Sequence, residues 1–220
     1  GVVAINGLRP NTVYFYRVRT VDGGQTSPLG RFRTLPSAET TRNAEHNPTG
    51  LFNFSFEFAC GNNQNPADGA GPSLPSYDTL LRQVKGNVDF SILNGDWLYE
   101  EDRDYRVADW KRQVGVVESD VPRIVRLAPS LVGVWQNYKT YLDRAANLAE
   151  WHRSVPTVFT YDDHEVLNDI YGTAEAGFRD RRAVFRDIGV RAWFDYLAWA
   201  NPVEHQQPAL FGDGRFVRGS

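Results

Sequence analysis

Three polar clusters in this chain stand directly behind apolar runs, and their residue types are those of a metal centre. Cys60 closes "LFNFSFEFAC", Asp96 and Tyr99 follow "NVDFSILNGD", and Asp162, Asp163, His164 and Glu165 end the run that begins "VPTVF". In α/β sheets, ligands bind outside the carboxyl ends of the strands, so neighbouring strands here would bring these groups to one crevice. Four acids, a thiol, a phenol and an imidazole in one small volume repel one another strongly unless cations lie between them. Carboxylates with a thiolate and a phenolate suit ferric iron, and an all-oxygen remainder suits a hard divalent ion such as calcium; other divalent metals would also serve. Such a centre polarises a phosphoryl group and brings the pKa of bound water toward neutrality. No Ser or Thr stands in these motifs as a nucleophile, which agrees with direct attack by water.

The elements that would position these groups are legible from periodicity. "VYFYRVRTV" followed by "DGGQTSPLGRFRTLP" reads as two strands joined by a Gly-rich turn, and "PSAETTRNAEHNPTG" reads as a polar linker. In "LFNFSFEFAC", Phe52, Phe54, Phe56 and Phe58 alternate with Asn53, Ser55 and Glu57, a period of two that predicts a strand ending at Cys60. A Gly/Asn/Pro-rich loop and a short helix near Tyr77 to Val84 lead into the second strand. Trp135, Tyr138, Leu142, Ala145, Leu148 and Trp151 recur three or four residues apart and predict one amphipathic helix over 135–152. A further helix is predicted from about Phe178 to Trp199, with Phe185, Ile188, Ala192, Tyr196 and Trp199 on one stripe. The segment "YEEDRDYRVADWKR" reads as mostly solvated, its first acids free to border the crevice. Strand, helix, strand, helix is the order of an α/β layered fold.

Composition narrows the partners. Lys+Arg 24 against Asp+Glu 27 gives a net charge of −3 without a basic block, so there is no nucleic-acid footprint. No apolar run reaches the roughly 18 residues of a membrane span, and no leader pattern opens the chain. A single cysteine rules out an internal disulfide framework and leaves Cys60 as either a small buried hydrophobe or a ligating thiol.

"ILNGDWLYEE" and "TYDDHEVLND", with "FEFAC" upstream and "RRAVFRDIGVRAWFDYLAWANP" downstream, resemble the PhoD-like alkaline phosphatases, a branch of the calcineurin-like metallophosphoesterases. The start, "GLRPNTVYFYRV", is similar to the late strands of a fibronectin III-like sandwich. The resemblance implies an α/β fold, the partial four-layer metallophosphoesterase sandwich, over 51–220, a linker over 37–50, and part of a small β-sandwich domain over 1–36. It implies hydrolysis of phosphate mono- or diesters by a metal-bound hydroxide, with ferric iron and calcium as cofactors. Asp96 would bridge the metals, Tyr99 and Cys60 would bind iron, and Asp163, with Asp162 and Asn168, would hold the second metal. His164 would hydrogen-bond the phosphate or the nucleophile, Glu165 would orient His164, and Asp169 would close the motif. Export to the periplasm or beyond is implied as well. Family members supply further ligands from a downstream Gly-Asp-x-His segment, and here the only later histidine is His205, so a piece of a longer protein is expected. The competing expectation is a non-catalytic metal- or phosphate-binding remnant.

Overall fold

The computed structural model describes residues 3–168 and 181–198, the first five of the latter as backbone only. The alternating residues near the N-terminus form an antiparallel hairpin of β1 (Val13–Tyr16) and β2 (Gly30–Arg33), in which Phe15 pairs with Arg31 and Val13 with Arg33. Tyr14 stacks on Phe32 at 5.6 Å between ring centroids. The ring of Tyr16 lies so close to Gly30 that a Cβ there would fall 2.2 Å from it, so a side chain at the start of β2 would displace that ring. Within the predicted linker, Ser37 and Thr40 form a capping box over a single helical turn, α1 (Ala38–Thr41).

The strands that carry the polar clusters form one parallel sheet in the order β3 (Phe56–Ala59), β4 (Phe90–Asn94), β5 (Thr157–Thr160). In the central strand β4, Ser91 and Leu93 are fully buried. The edge strand differs from the simple reading of its alternation. Phe54, Phe56 and Phe58 are 51%, 50% and 59% exposed, while Glu57, on the opposite face, accepts a hydrogen bond from the buried Ser91 hydroxyl. Phe54 and Phe56 pack on Phe90 at 5.7 and 5.6 Å. The apolar face of β3 therefore borders solvent among the described residues.

Two compact units are distinguished. The first contains Gly1–Ala59, Pro75–Ile92 and Asn147–Thr157. In it, helix α2 (Pro75–Gln83) buries Tyr77 edge-on against Trp151, 6.2 Å away, and Glu150 collects Lys85, Arg153 and the Ser154 hydroxyl. The second contains Cys60–Leu74, Leu93–Ala146 and Val158–Ser220. Its helices are α3 (Val107–Val114), α4 (Arg123–Leu127), α5 (Leu131–Arg144) and, in the described residues after β5, α7 (Arg181–Tyr196), with a 3-10 turn at Glu118–Asp120. Trp110, Val121, Val125 and Val132 form one core cluster there. A stack of aromatics forms another, Trp97 on Tyr138 at 5.8 Å and Tyr138 on Tyr196 at 4.9 Å.

The single helix predicted over 135–152 is two. Ala145, at φ −94° and ψ 83°, leaves the helical region and separates α5 from α6 (Ala146–Ser154). α5 starts four residues earlier than predicted, because Leu131, Val132 and Val134 extend its buried face, and Leu142 lies off that face, 42% exposed. Two helices in sequence carry the same three-and-four spacing as one, so periodicity does not register the break. α7 lies inside the predicted 178–199 helix; Ile188 and Ala192 are buried as expected, whereas the Phe185 side chain and Trp199 lie outside the described residues. No described helix is long and apolar enough to cross a membrane.

His152 on α6 is half-buried beside Thr157, its Nδ1 3.3 Å from the hydroxyl, and burial pushes its pKa down to about 4. The unfolded chain takes up this proton near pH 6.5 and the folded one only near 4, so stability is full above 6.5 and falls toward pH 4. Urea titrations between pH 7 and 4 should show a loss that approaches about 1.4 kcal/mol per pH unit from this one group, and His152→Asn should flatten it.

Candidate metal centre

The centre begins with two successive residues in the left-handed region, Gly95 at φ +77° and Asp96 at φ +51°. Gly95 is required by space as well as by φ: a Cβ there would lie 2.5 Å from the Asp162 Cβ and 2.6 Å from the Asp162 nitrogen. Asp96 has no such freedom, and a non-glycine residue in this region costs of order 1–3 kcal/mol. The turn is held by Glu165, 0% exposed, whose carboxylate accepts N–H bonds from Asp96 at 3.0 Å, Trp97 at 2.5 Å and Asp162 at 2.7 Å. Hydrogen bonds to a charged acceptor contribute about 1.5–3 kcal/mol each, enough to outweigh the strain at Asp96.

The neighbouring loops are tied in by backbone. After β3, Asn62 N–H donates to the Asp96 carbonyl at 2.8 Å. After β5, the Asp163 carbonyl accepts from Val166 and Leu167 at 2.8 and 2.6 Å, closing a turn. The half-buried Arg103 guanidinium clamps that turn by donating to the carbonyls of His164 at 3.0 Å and Val166 at 3.3 Å.

These contacts assemble a cluster. One ligand atom each from Asp96, Asp163 and His164 lies within 4.8 Å of the others. The Tyr99 hydroxyl is 3.5 Å from Asp96 Oδ2, and the Tyr99 ring lies 3.9 Å from that of His164. Among the described residues, Asp96 Oδ1 is buried without a hydrogen-bond partner.

Burial and the facing carboxylates Asp163 and Asp162 raise the Asp96 pKa, despite His164. Burial, Asp96 and Cys60 push Tyr99 up to about 12. Burial, then Asp96, Asp162 and Glu165, raise the Cys60 thiol. Burial drives Glu165 up to about 7 against its three N–H donors. Each shift opposes the anionic form and is reversed by a cation. The orphaned Asp96 oxygen and this mixed carboxylate, imidazole, phenol and thiol donor set thus fit a metal ion.

The predicted site residues are not equally placed. Cys60, exposed, and Asp162 belong to the same electrostatic neighbourhood as Asp96 but not to the 4.8 Å cluster, and Asp162 Oδ1 instead accepts the Asp163 N–H at 3.0 Å. Asn168 is exposed and enters through its backbone N–H, which donates to Glu100 at 2.6 Å; Asp169 lies outside the described residues. Glu165, expected to orient His164, bonds the backbone of Asp96, Trp97 and Asp162, and Oε2 of Glu100 lies 2.8 Å from His164 Nδ1. Burial alone would lower the His164 pKa, but Glu100, Asp96 and Asp163 outweigh it and hold the imidazole above its ordinary value.

Glu100 and Arg103 were not singled out by sequence because they sit in the charged "YEEDR" run that reads as solvated. In the fold this run is half-buried: Glu101 pairs with Arg144 at 2.5 Å and Asp102 accepts from Thr140 at 2.6 Å. The available signal was position, since acids directly after the Gly-Asp-x-x-Tyr turn fall within reach of the crevice.

A parallel sheet with a carboxylate and imidazole cluster at the carboxyl ends of its strands defines an α/β protein with a candidate metal-binding group. The chain belongs to the PhoD-like phosphatase family, whose sequence pattern matches residues 54–216, and that family's N-terminal domain pattern matches residues 2–36. It is 29% identical over 168 residues to alkaline phosphatase D of Bacillus subtilis (strain 168), covering 76% of this chain and 24% of that protein. The solved structure of PhoD shares its fold with a TM-score of 0.56 at 24% identity, over 87% of this chain and 32% of that one. The chain thus spans about a quarter to a third of the length of these relatives.

Gly95→Ala should destabilise the protein by more than about 2 kcal/mol through the clash with Asp162 and the φ penalty. Gly86→Ala, where an added Cβ meets nothing within 4 Å, serves as control and should change urea unfolding little.

Proposed function

We propose that these residues form part of the catalytic centre of a metal-dependent hydrolase of phosphate mono- or diesters. The observation that carries this reading is the Asp96, Asp163 and His164 cluster around the orphaned Asp96 oxygen, in a chain of the PhoD-like phosphatase family. Asp96 is assigned as the bridging ligand. Tyr99 and Cys60 are assigned to ferric iron, and Asp163, with Asp162 and Asn168, to a second ion such as calcium. Glu165, and by extension Asp169, support these ligands from behind. When bound, the ions supply Lewis acidity toward a phosphoryl oxygen and acidify water.

The chain's own groups do the rest. His164, whose pKa Glu100 raises, donates a proton or hydrogen bond to charge that develops on the phosphoryl oxygens or the leaving group. Glu165 and Arg103 fix the two loops on which Asp96 and His164 stand, so that the donors need not reorganise during reaction. With a pKa of about 12, Tyr99 would be phenolate in only about one molecule in ten thousand at pH 8 without a cation, so iron ligation is what would ionise it.

The same reading extends to the surroundings. It takes 1–36 as part of a small fibronectin-like sandwich, 37–50 as a linker, and the β3–β5 sheet as one layer of a four-layer sandwich. The half-exposed phenylalanine face of β3 supports a further layer packed on it. Export to the periplasm or beyond follows the family resemblance.

Asp96→Asn should remove bound metal, measured by elemental analysis, together with phosphatase activity; full activity in the variant would sink the bridging role. Iron-loaded protein should show a visible charge-transfer band that weakens in Tyr99→Phe, whereas an active, iron-free and colourless protein would refute the iron assignment. Glu100→Gln should keep its metal, lose roughly 10- to 100-fold in turnover, and lose activity at lower pH than the parent, because His164 then gives up its proton earlier.

A further inference from the structure

The first compact unit contains a cavity of about 190 Å³ whose lining includes Arg31, Arg33, Lys85, Asn87, Asp89 and Ser154. None of these residues belongs to the metal centre. Arg31 and Arg33 lie two apart on β2 and so share one face of the hairpin. Their cross-strand neighbours are Phe15 and Val13, so no carboxylate stands opposite either of them on the ladder. Neither guanidinium forms an ion pair among the described residues.

The acids nearby are Glu150 and, in the lining itself, Asp89. Glu150 takes Lys85 at 3.1 Å and Arg153 at 2.9 Å, and Asp89 Oδ2 accepts the Ser55 N–H at 2.9 Å. Lys85 shares Glu150 with Arg153, and within the lining Arg31, Arg33 and Lys85 stand against the single carboxylate of Asp89, an excess of positive charge facing a polar hollow. Guanidinium groups side by side repel at short range, and the partner that relieves both at once is a doubly charged, multidentate oxyanion. The volume equals that of about six waters of liquid, room for one tetrahedral oxyanion and part of its hydration.

We propose that this cavity is a binding site for a phosphate-class dianion, either inorganic phosphate or the terminal phosphate of a monoester, held by Arg31 and Arg33. The proposal is independent of the metal centre.

The test is an NMR titration of the full 220-residue chain, metal-stripped with chelator, at ionic strength held constant with sodium chloride. Inorganic phosphate should shift the amides of Gly86, Asn87 and Val88 saturably. Methyl phosphate, a monoester, should reproduce the shifts if a terminal phosphate is accepted; dimethyl phosphate, a singly charged diester, should bind at least tenfold more weakly. Arg31→Gln with Arg33→Gln should weaken phosphate binding at least tenfold while the spectrum stays dispersed. Gly86→Glu should also abolish it with both arginines in place, since space at that position is open and the added carboxylate would occupy the cavity. Linear, unsaturated shifts, equal shifts with chloride alone, or unchanged affinity in the double variant would each overturn the site.

Discussion

A single buried carboxylate decides whether the centre exists. Glu165 sits on the loop after β5, yet two of its three hydrogen bonds run to the loop after β4, at Asp96 and Trp97. The third, to Asp162, fixes its own loop. One side chain therefore sets the separation of the two segments that carry Asp96 on one side and Asp163 and His164 on the other. The left-handed conformation at Asp96 persists because these bonds over-determine it, which is how proteins keep strained backbone at functional sites.

The electrostatics follow from that geometry. Packing Asp96, Asp162, Asp163 and Glu165 into neighbouring loops leaves Asp96 and Glu165 harder to ionise, and this extends to the Tyr99 phenol and the Cys60 thiol. Only His164 shifts toward its charged form, since Glu100 accepts from it. The crowding of carboxylates is the physical reason to place cations there. Cys60 and Asp162 stand at the margin of the tight cluster, so the donors nearest to one another are Asp96, Asp163 and His164.

Much of this was legible in the sequence because strand ends and carboxylates are local features. The run Phe56–Ala59 into Cys60, the Gly95–Asp96 turn and the Asp162–Glu165 segment follow β3, β4 and β5 as periodicity and turn chemistry predict. What sequence misses is which of several acids meets which partner. Glu165 is adjacent to His164 in sequence, but neighbours in a turn diverge, and Glu100, 64 positions away, makes the contact. Arg103 escaped notice for a related reason: a charged run looks solvated until tertiary packing encloses it. The break at Ala145 was invisible because both helices on either side present apolar residues at the same spacing.

The bared face of β3 has a colloidal consequence. A short edge strand offers unpaired backbone groups, and here it also offers Phe54, Phe56 and Phe58 at half exposure, without Lys or Pro among Phe54–Ala59 to blunt it. A net charge of −3 spread over 220 residues gives little long-range repulsion at physiological salt. Among the described residues, this aromatic strand rather than the overall charge is the feature that favours association of the polypeptide in isolation.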